Sequence, residues 1–145
     1  MSQKQTQGLG GLSYKSTNDL SGSAADVTNG NPIGTTYKNG KGLAVIADTA
    51  NDCSIVIAGA NARVLGVLAD TPKAAQAAKV ESVRGTSVKV LTGAAVTRGD
   101  NLQTDANGRA ITGAGAAQKV FAIAMESASA ANRLIEAVLV DVYVA

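Results

Sequence analysis

From Leu43 onward the chain breaks into short apolar runs separated by polar punctuation. The runs are "LAVIAD", "SIVIAG", "RVLGVLAD", "AKVESV", "SVKVLTG", "KVFAIAME" and "RLIEAVLVDVYV". They are rich in β-branched residues and bounded by Gly, Asn, Asp or Pro, a pattern that predicts strands. The last run alternates Val138, Val140 and Val142 with Leu139, Asp141 and Tyr143. Asp141 marks the second set as a partly wet face. Only "TPKAAQAAK" favours a helical turn, with Thr71 as N-cap and Pro72 in the first helical position. The expected fold is all-β, a small β-barrel or β-sandwich-like body over residues 43–145.

Met1 to Gly42 has a different pattern. It holds 8 of the 16 glycines and its apolar residues are isolated, so neither the helical nor the strand period persists. It reads as an extended N-terminal arm that orders on a partner surface. Leu9, Leu12, Tyr14 and Leu20 are its expected anchors, with Lys4 and Lys15 as charge contacts. On this reading, removing Met1 to Leu20 leaves the body folded. The arm carries four lysines against two aspartates, whereas the rest of the chain is balanced at nine charges of each sign. A net charge of +2 is too weak for an electrostatic nucleic-acid binder.

The stretch "AAVTRGDNLQTDANGRAI" (residues 94–111) predicts two turns. Gly99 supplies a position needing positive φ and Asp100 suits the next, so Arg98-Gly99-Asp100 reads as a turn rather than an adhesion signal. Asn107-Gly108 predicts a two-residue hairpin turn. There is also an internal repeat. "VLGVLADTPKAAQAAKVESV" from Val64 aligns with "VFAIAMESASAANRLIEAVL" from Val120, at an offset of 56 before the Ala-rich loop and 55 after it. Such a repeat implies two related β-loop-β units packed in one barrel or sandwich.

Composition narrows the chemistry. The chain has no His, which excludes Ser-His and Cys-His nucleophile pairs. Cys53 is the single cysteine and is expected to be a small buried hydrophobe. Asp100 with Asp105, and Glu126 with Glu136, offer carboxylate pairs, but solvated strand ends account for them. Asp48 and Asp52 lack the ligand density of a calcium loop. The expectation is therefore no enzyme, no cofactor and no metal. Apolar residues make up 46% of the chain, mostly Ala and Val, and aromatics only 3%. This predicts a thin, lightly packed domain that gains stability from partner chains. The first residues contain no apolar signal-peptide core, and no apolar run approaches the roughly 20 residues of a bilayer span. A soluble product of the cytoplasm, with no membrane partner, is expected.

The order of pieces in the C-terminal half resembles the capsid cement (head-decoration) proteins of tailed bacteriophages. Val96, Gly99, Asp100 and Leu102 match their "V-x-x-G-D-x-L" turn, and Asp105, Gly108 and Ala110 match "D-x-x-G-x-A". Ala122, Ile123, Ala124, Glu126, Ala128, Ser129, Ala130, Leu134, Ile135 and Glu136 match the closing segment. Ala122 and Met125 depart from the usual Gly and Leu. The resemblance spans about Arg63 to Val140. It implies a virion protein on the outer surface of the capsid that binds the major capsid protein and stabilises the shell. It also implies a homo-oligomer, with a trimer favoured and a dimer possible. Alternative readings are a tail-tube or spike subunit, or a small ligand-binding β-module.

Overall fold

The computed structural model describes residues 14–17, 40–71, 75–113 and 117–144. Eleven strands follow one another: β1 (Tyr14–Ser16), β2 (Ala44–Ala47), β3 (Ser54–Ile57), β4 (Gly66–Leu68), β5 (Ala77–Ala78), β6 (Val80–Glu81), β7 (Ser87–Leu91), β8 (Asn101–Thr104), β9 (Ala110–Thr112), β10 (Lys119–Ala124) and β11 (Leu134–Val144). The seven apolar runs each contribute strand. No helix occurs among the described residues. Of the Ala-rich segment expected to turn helically, Ala77 and Ala78 form β5, with Ala78 buried in the sheet, whereas residues 72–74, where the turn was expected to begin, lie outside the described residues. Pairing there outweighs alanine's helix preference.

The first sheet has the order β5-β1-β3-β2-β4-β6. Its two edges, β5 and β6, are separated only by Lys79, so they are the two halves of one strand. The sheet therefore curls round on itself into a small barrel of five staves. Register places Tyr14, Ser16, Val45, Ile55, Ile57, Leu68, Ala78 and Val80 on one face. Apart from Ser16, all of these belong to or pack on one apolar cluster, which also contains Leu43 and Leu91.

The second sheet has the order β7-β11-β10-β8-β9, and a parallel bridge from Thr92 to Ala110 ties β9 back to the end of β7. It too comes nearly full circle. Its inward face carries Val88, Val90, Leu102, Ala110, Ala122, Ala124, Ile135, Ala137 and Leu139. The abundance of Ala and Val follows directly. A five-stave barrel is too narrow for large side chains on every stave, so the core is small-residue and fully buried rather than thin. The alternation along β11 is the reverse of that expected. Leu139 is 0% exposed and belongs to the core face, while Val138 and Val140 are half-buried outside. Asp141 is exposed, as expected.

The two barrels repeat each other pairing by pairing. β1 lies parallel to β3 as the end of β7 lies parallel to β9. β1 with β5 corresponds to β7 with β11, and β2 with β3 to β8 with β9. β2 with β4 corresponds to β8 with β10, and β4 with β6 to β10 with β11. Left-handed backbone recurs at matching places: Gly42 and Gly99, Cys53 and Gly108, Asn61 and Ala117, Ala75 and Asn132. So do individual hydrogen bonds. Gly42 N donates to Leu68 O at 2.9 Å and Gly99 N to Ala124 O at 2.7 Å. Lys79 N donates to the Asp70 carboxylate and Glu136 N to the Glu126 carboxylate. The repeat read in the sequence is thus one unit in each of two barrels, not two units in one. After the Ala-rich loop, Lys79 corresponds to Glu136, an offset of 57 rather than 55, because the second loop is one residue longer than the first.

Both predicted turns exist, one in altered form. Asp100 N donates to Thr97 O at 3.0 Å across a turn whose third residue, Gly99, has φ +90°. At Asn107-Gly108 the loop has three residues, not two. Asp105 N donates to Arg109 O at 2.9 Å, and Gly108 alone, at φ +77°, takes the left-handed position. The reason is Asp105, whose Oδ1 accepts the N–H groups of Asn107 (2.8 Å) and Arg109 (2.9 Å) and so widens the turn.

That loop tip joins the barrels. Ala44 N donates to Gly108 O at 2.8 Å. Asn61 N donates to Thr104 O at 2.9 Å, and the buried Thr104 hydroxyl donates to Gly59 O at 2.6 Å. The two glycines therefore separate two costs. A Cβ on Gly99 meets nothing within 4 Å, so Gly99→Ala carries only the left-handed backbone cost, about 1–2 kcal/mol. Gly99→Val costs more because a branched Cβ tolerates positive φ poorly. A Cβ on Gly108 would lie 2.7 Å from Ile57 Cγ2 and 3.1 Å from Ala44 O. Gly108→Ala is expected to lose roughly 2–4 kcal/mol in denaturant titration, strain and overpacking together. Equal losses at the two glycines would refute the role of the loop tip in the seam.

Candidate interaction surface

The first barrel is completed by a strand from far along the chain. Lys15 N donates to Cys53 O at 3.0 Å and Thr17 N to Ile55 O at 3.0 Å on one side. Ser16 N donates to Gln76 O at 2.9 Å, and Ser16 O accepts from Ala75 N at 2.7 Å on the other. Tyr14 is half-buried against the barrel core, and Ser16 is 1% exposed. Lys15 alternates outward and is exposed. Of the expected shell-binding residues, Tyr14 and Lys15 thus sit in β1 of the barrel wall. Lys4, Leu9, Leu12 and Leu20 lie outside the described residues.

A carboxylate pins the end of this strand. Asp48 accepts the Thr17 hydroxyl, the Asn51 amide at 2.9 Å and the Ala50 N–H at 2.8 Å. These donors favour the ionised form, the Thr17 hydroxyl most, and lower the Asp48 pKa from an ordinary 3.8 to about 2. The Asp48 carboxylate is a turn cap. Lys15, Thr17, Asn51, Asp52, Ser54 and Ala75 line an open cleft beside it. Cys53 is exposed, not buried as expected, because it occupies a left-handed turn position at φ +51° just before β3.

Asp100, Asp105 and Glu136 are committed in the same way. Asp100 Oδ2 accepts Thr97 N and the Thr112 hydroxyl, both at 2.8 Å. Arg98 N donates to the Ser127 hydroxyl at 2.9 Å. The Arg-Gly-Asp string is therefore a turn with its Asp side chain folded back on the chain. Asp105 holds Arg109 Nε at 2.9 Å, and Arg109 reaches Asn132 Oδ1 at 3.0 Å. Glu136 accepts the Ser87 hydroxyl and lies 3.1 Å from Lys89 Nζ; these two donors lower its pKa, Ser87 more than Lys89. Glu126 and Glu136 share Lys89, whose Nζ lies 3.8 Å from the first and 3.1 Å from the second. Gly99, Asp100, Asn107 and Gly108 all lie in connections of the second barrel. Sequence reasoning missed the β1 seat, whose only local signal is the three-residue alternation of Tyr14, Lys15 and Ser16.

No protein-family profile matches the chain, and no curated protein sequence matches it. Among solved structures, the chain is similar to the N base of the head fiber protein gp8.5 of bacteriophage phi29. The two share 16% sequence identity at a TM-score of 0.64, over 90% of this chain and 93% of the other. At that identity the likeness is one of fold, and it extends across both barrels.

The depressed pKa of Asp48 makes a signed prediction. Its contribution to stability is fully present above about pH 4 and is lost as pH falls through 2. Asp48→Asn should remove this component. Urea midpoints measured from pH 5 to pH 2 are expected to fall more steeply for the unmodified chain than for the variant. Parallel curves would show that Asp48 does not pin β1.

Proposed function

We propose that this protein is a structural component of a tailed-bacteriophage head, a cement or decoration protein that binds the major capsid protein on the outer surface of the shell. The observation that supports this reading most is the near full-length similarity of fold to a phage head fiber base. The motif resemblance to cement proteins adds to it. Val96 to Leu102 and Glu126 to Glu136 are structural pieces of the second barrel, where turn closure and strand pairing demand them.

Under this proposal the protein acts by covering and tying, without catalysis, cofactor, nucleic acid or membrane. The body is balanced in charge, and the excess positive charge of residues 1–42 suits an acidic shell surface. A homo-oligomer, three-fold by preference and two-fold as the alternative, multiplies weak contacts into avidity on a lattice. The fold similarity also favours a second reading, an attachment base for a head appendage.

Protein stoichiometry in purified virus particles tests the proposal. Hundreds of copies, comparable with the major shell protein, are expected. A few copies per particle would favour the appendage base, and absence from the particle would overturn both. Because Tyr14–Ser16 belong to the barrel, a truncation that tests shell contact must stop at residue 13. Removing residues 1–13 should lower retention on the shell and leave the melting temperature unchanged. Equal retention would remove the arm contacts from the proposal.

A further inference from the structure

We propose that the gap between β3 and β5 is a strand-acceptor slot, and that the strand filling it is exchangeable between copies of this chain. Tyr14–Ser16 of one copy then completes the first barrel of another.

The repeat supplies the comparison. In the second barrel, residues 92–100 are enough to carry the chain from β7 to β8. The equivalent passage in the first barrel, from β1 to β2, takes residues 17–43, three times as many. The geometry to be bridged is the same: β1 and β2 flank β3, and β1 runs antiparallel to β2. The strand ends to be joined therefore lie at one end of the sheet, two strand spacings apart, roughly 10 Å. Residues 17–43 span up to about 90 Å when extended. That surplus is not needed to close the barrel within one copy, and it is enough to reach a second.

The slot is also chemically complete without regard to which copy fills it. The backbone of β1 bonds to Cys53, Ala75 and Gln76, and the Thr17 that follows it bonds to Ile55 and Asp48, all on the barrel body. The inward positions accept the Tyr14 ring at the edge of the core and the small Ser16 side chain within it, and Lys15 faces out. β1 is flanked on both sides, so without it β3 is a bare edge and β5 has no strand partner. A barrel lacking one stave takes a strand in trans by the same backbone bonds. The equivalent strand β7 differs: it has five residues, and its Leu91 is embedded in the core of the first barrel, which fixes it in place. Since each chain carries both a strand and a slot, exchange closes into reciprocal dimers or rings. The bonds are the same in either arrangement, so the balance is set by concentration against the tether, which corresponds to roughly millimolar. The proposal stands apart from the phage reading and needs only a second copy.

Lys15 pairs with Ser54 in register, and Tyr14 with Ala78. In a Cys53→Ser background, Lys15→Cys and Ser54→Cys are placed in separate full-length chains. The chains are mixed, unfolded, refolded together at about 1 mM and mildly oxidised. A covalent heterodimer on a non-reducing gel is expected, in several-fold excess over a control mixture of Lys15→Cys with Met125→Cys. With both cysteines in one chain, intermolecular disulfides should dominate at about 1 mM and give way to intramolecular ones at micromolar concentration. An intramolecular disulfide alone at every concentration would overturn the proposal, as would no disulfide in either format. Should Ser54→Cys fail to fold, the pair Tyr14→Cys and Ala78→Cys reads the same slot from its other side under the same criteria.

Discussion

Each barrel closes only because its first strand lies beside its third in parallel and beside its fifth antiparallel. This placement converts an open sheet into a ring of five staves. It gives the edge strands of each sheet a neighbour and so reduces the edge open to unplanned pairing. It also sets the composition. The ring is narrow, so inward positions take Val, Ala and a few Leu and Ile, and aromatics stay few. The low aromatic content, which from composition alone implies a weak core, reflects the bore of the barrel.

The repetition of the barrels shows which features the closure demands. Both carry a buried hydroxyl where the first stave ends, Ser16 in one and Thr92 in the other. Both cap the hairpin between the second and third staves with an aspartate, Asp48 or Asp105, whose carboxylate accepts the N–H two residues on. The left-handed positions coincide, yet glycine holds both members only at Gly42 and Gly99; elsewhere Cys, Asn or Ala takes the strained conformation in at least one barrel. Backbone geometry is repeated more faithfully than sequence. The clear divergence is the passage between the first and second staves.

These contacts give the carboxylates structural work at turns and hairpins. Asp48, Asp100, Asp105, Glu126 and Glu136 each accept backbone or side-chain donors that close a turn or a hairpin.

The sequence by itself determined the strands that bury apolar faces, the turn at Gly99, the loop at Gly108 and the presence of a repeat. These are legible because alternation and turn chemistry are local properties of a few consecutive residues. Only the tertiary structure decided what depends on distant partners. Tyr-Lys-Ser becomes a stave because β3 and β5 flank it, and two alanines expected in a helical turn become strand because the ring needs a fifth wall. The core face of β11 belongs to Leu139 rather than to the valines, because register with β7 and β10 sets which side faces inward. Cys53 is exposed because a turn, not its hydrophobicity, fixes its direction. That the repeat is two barrels rather than one is likewise a matter of long-range pairing, where closure of the ring, and not local pattern, chooses the neighbour.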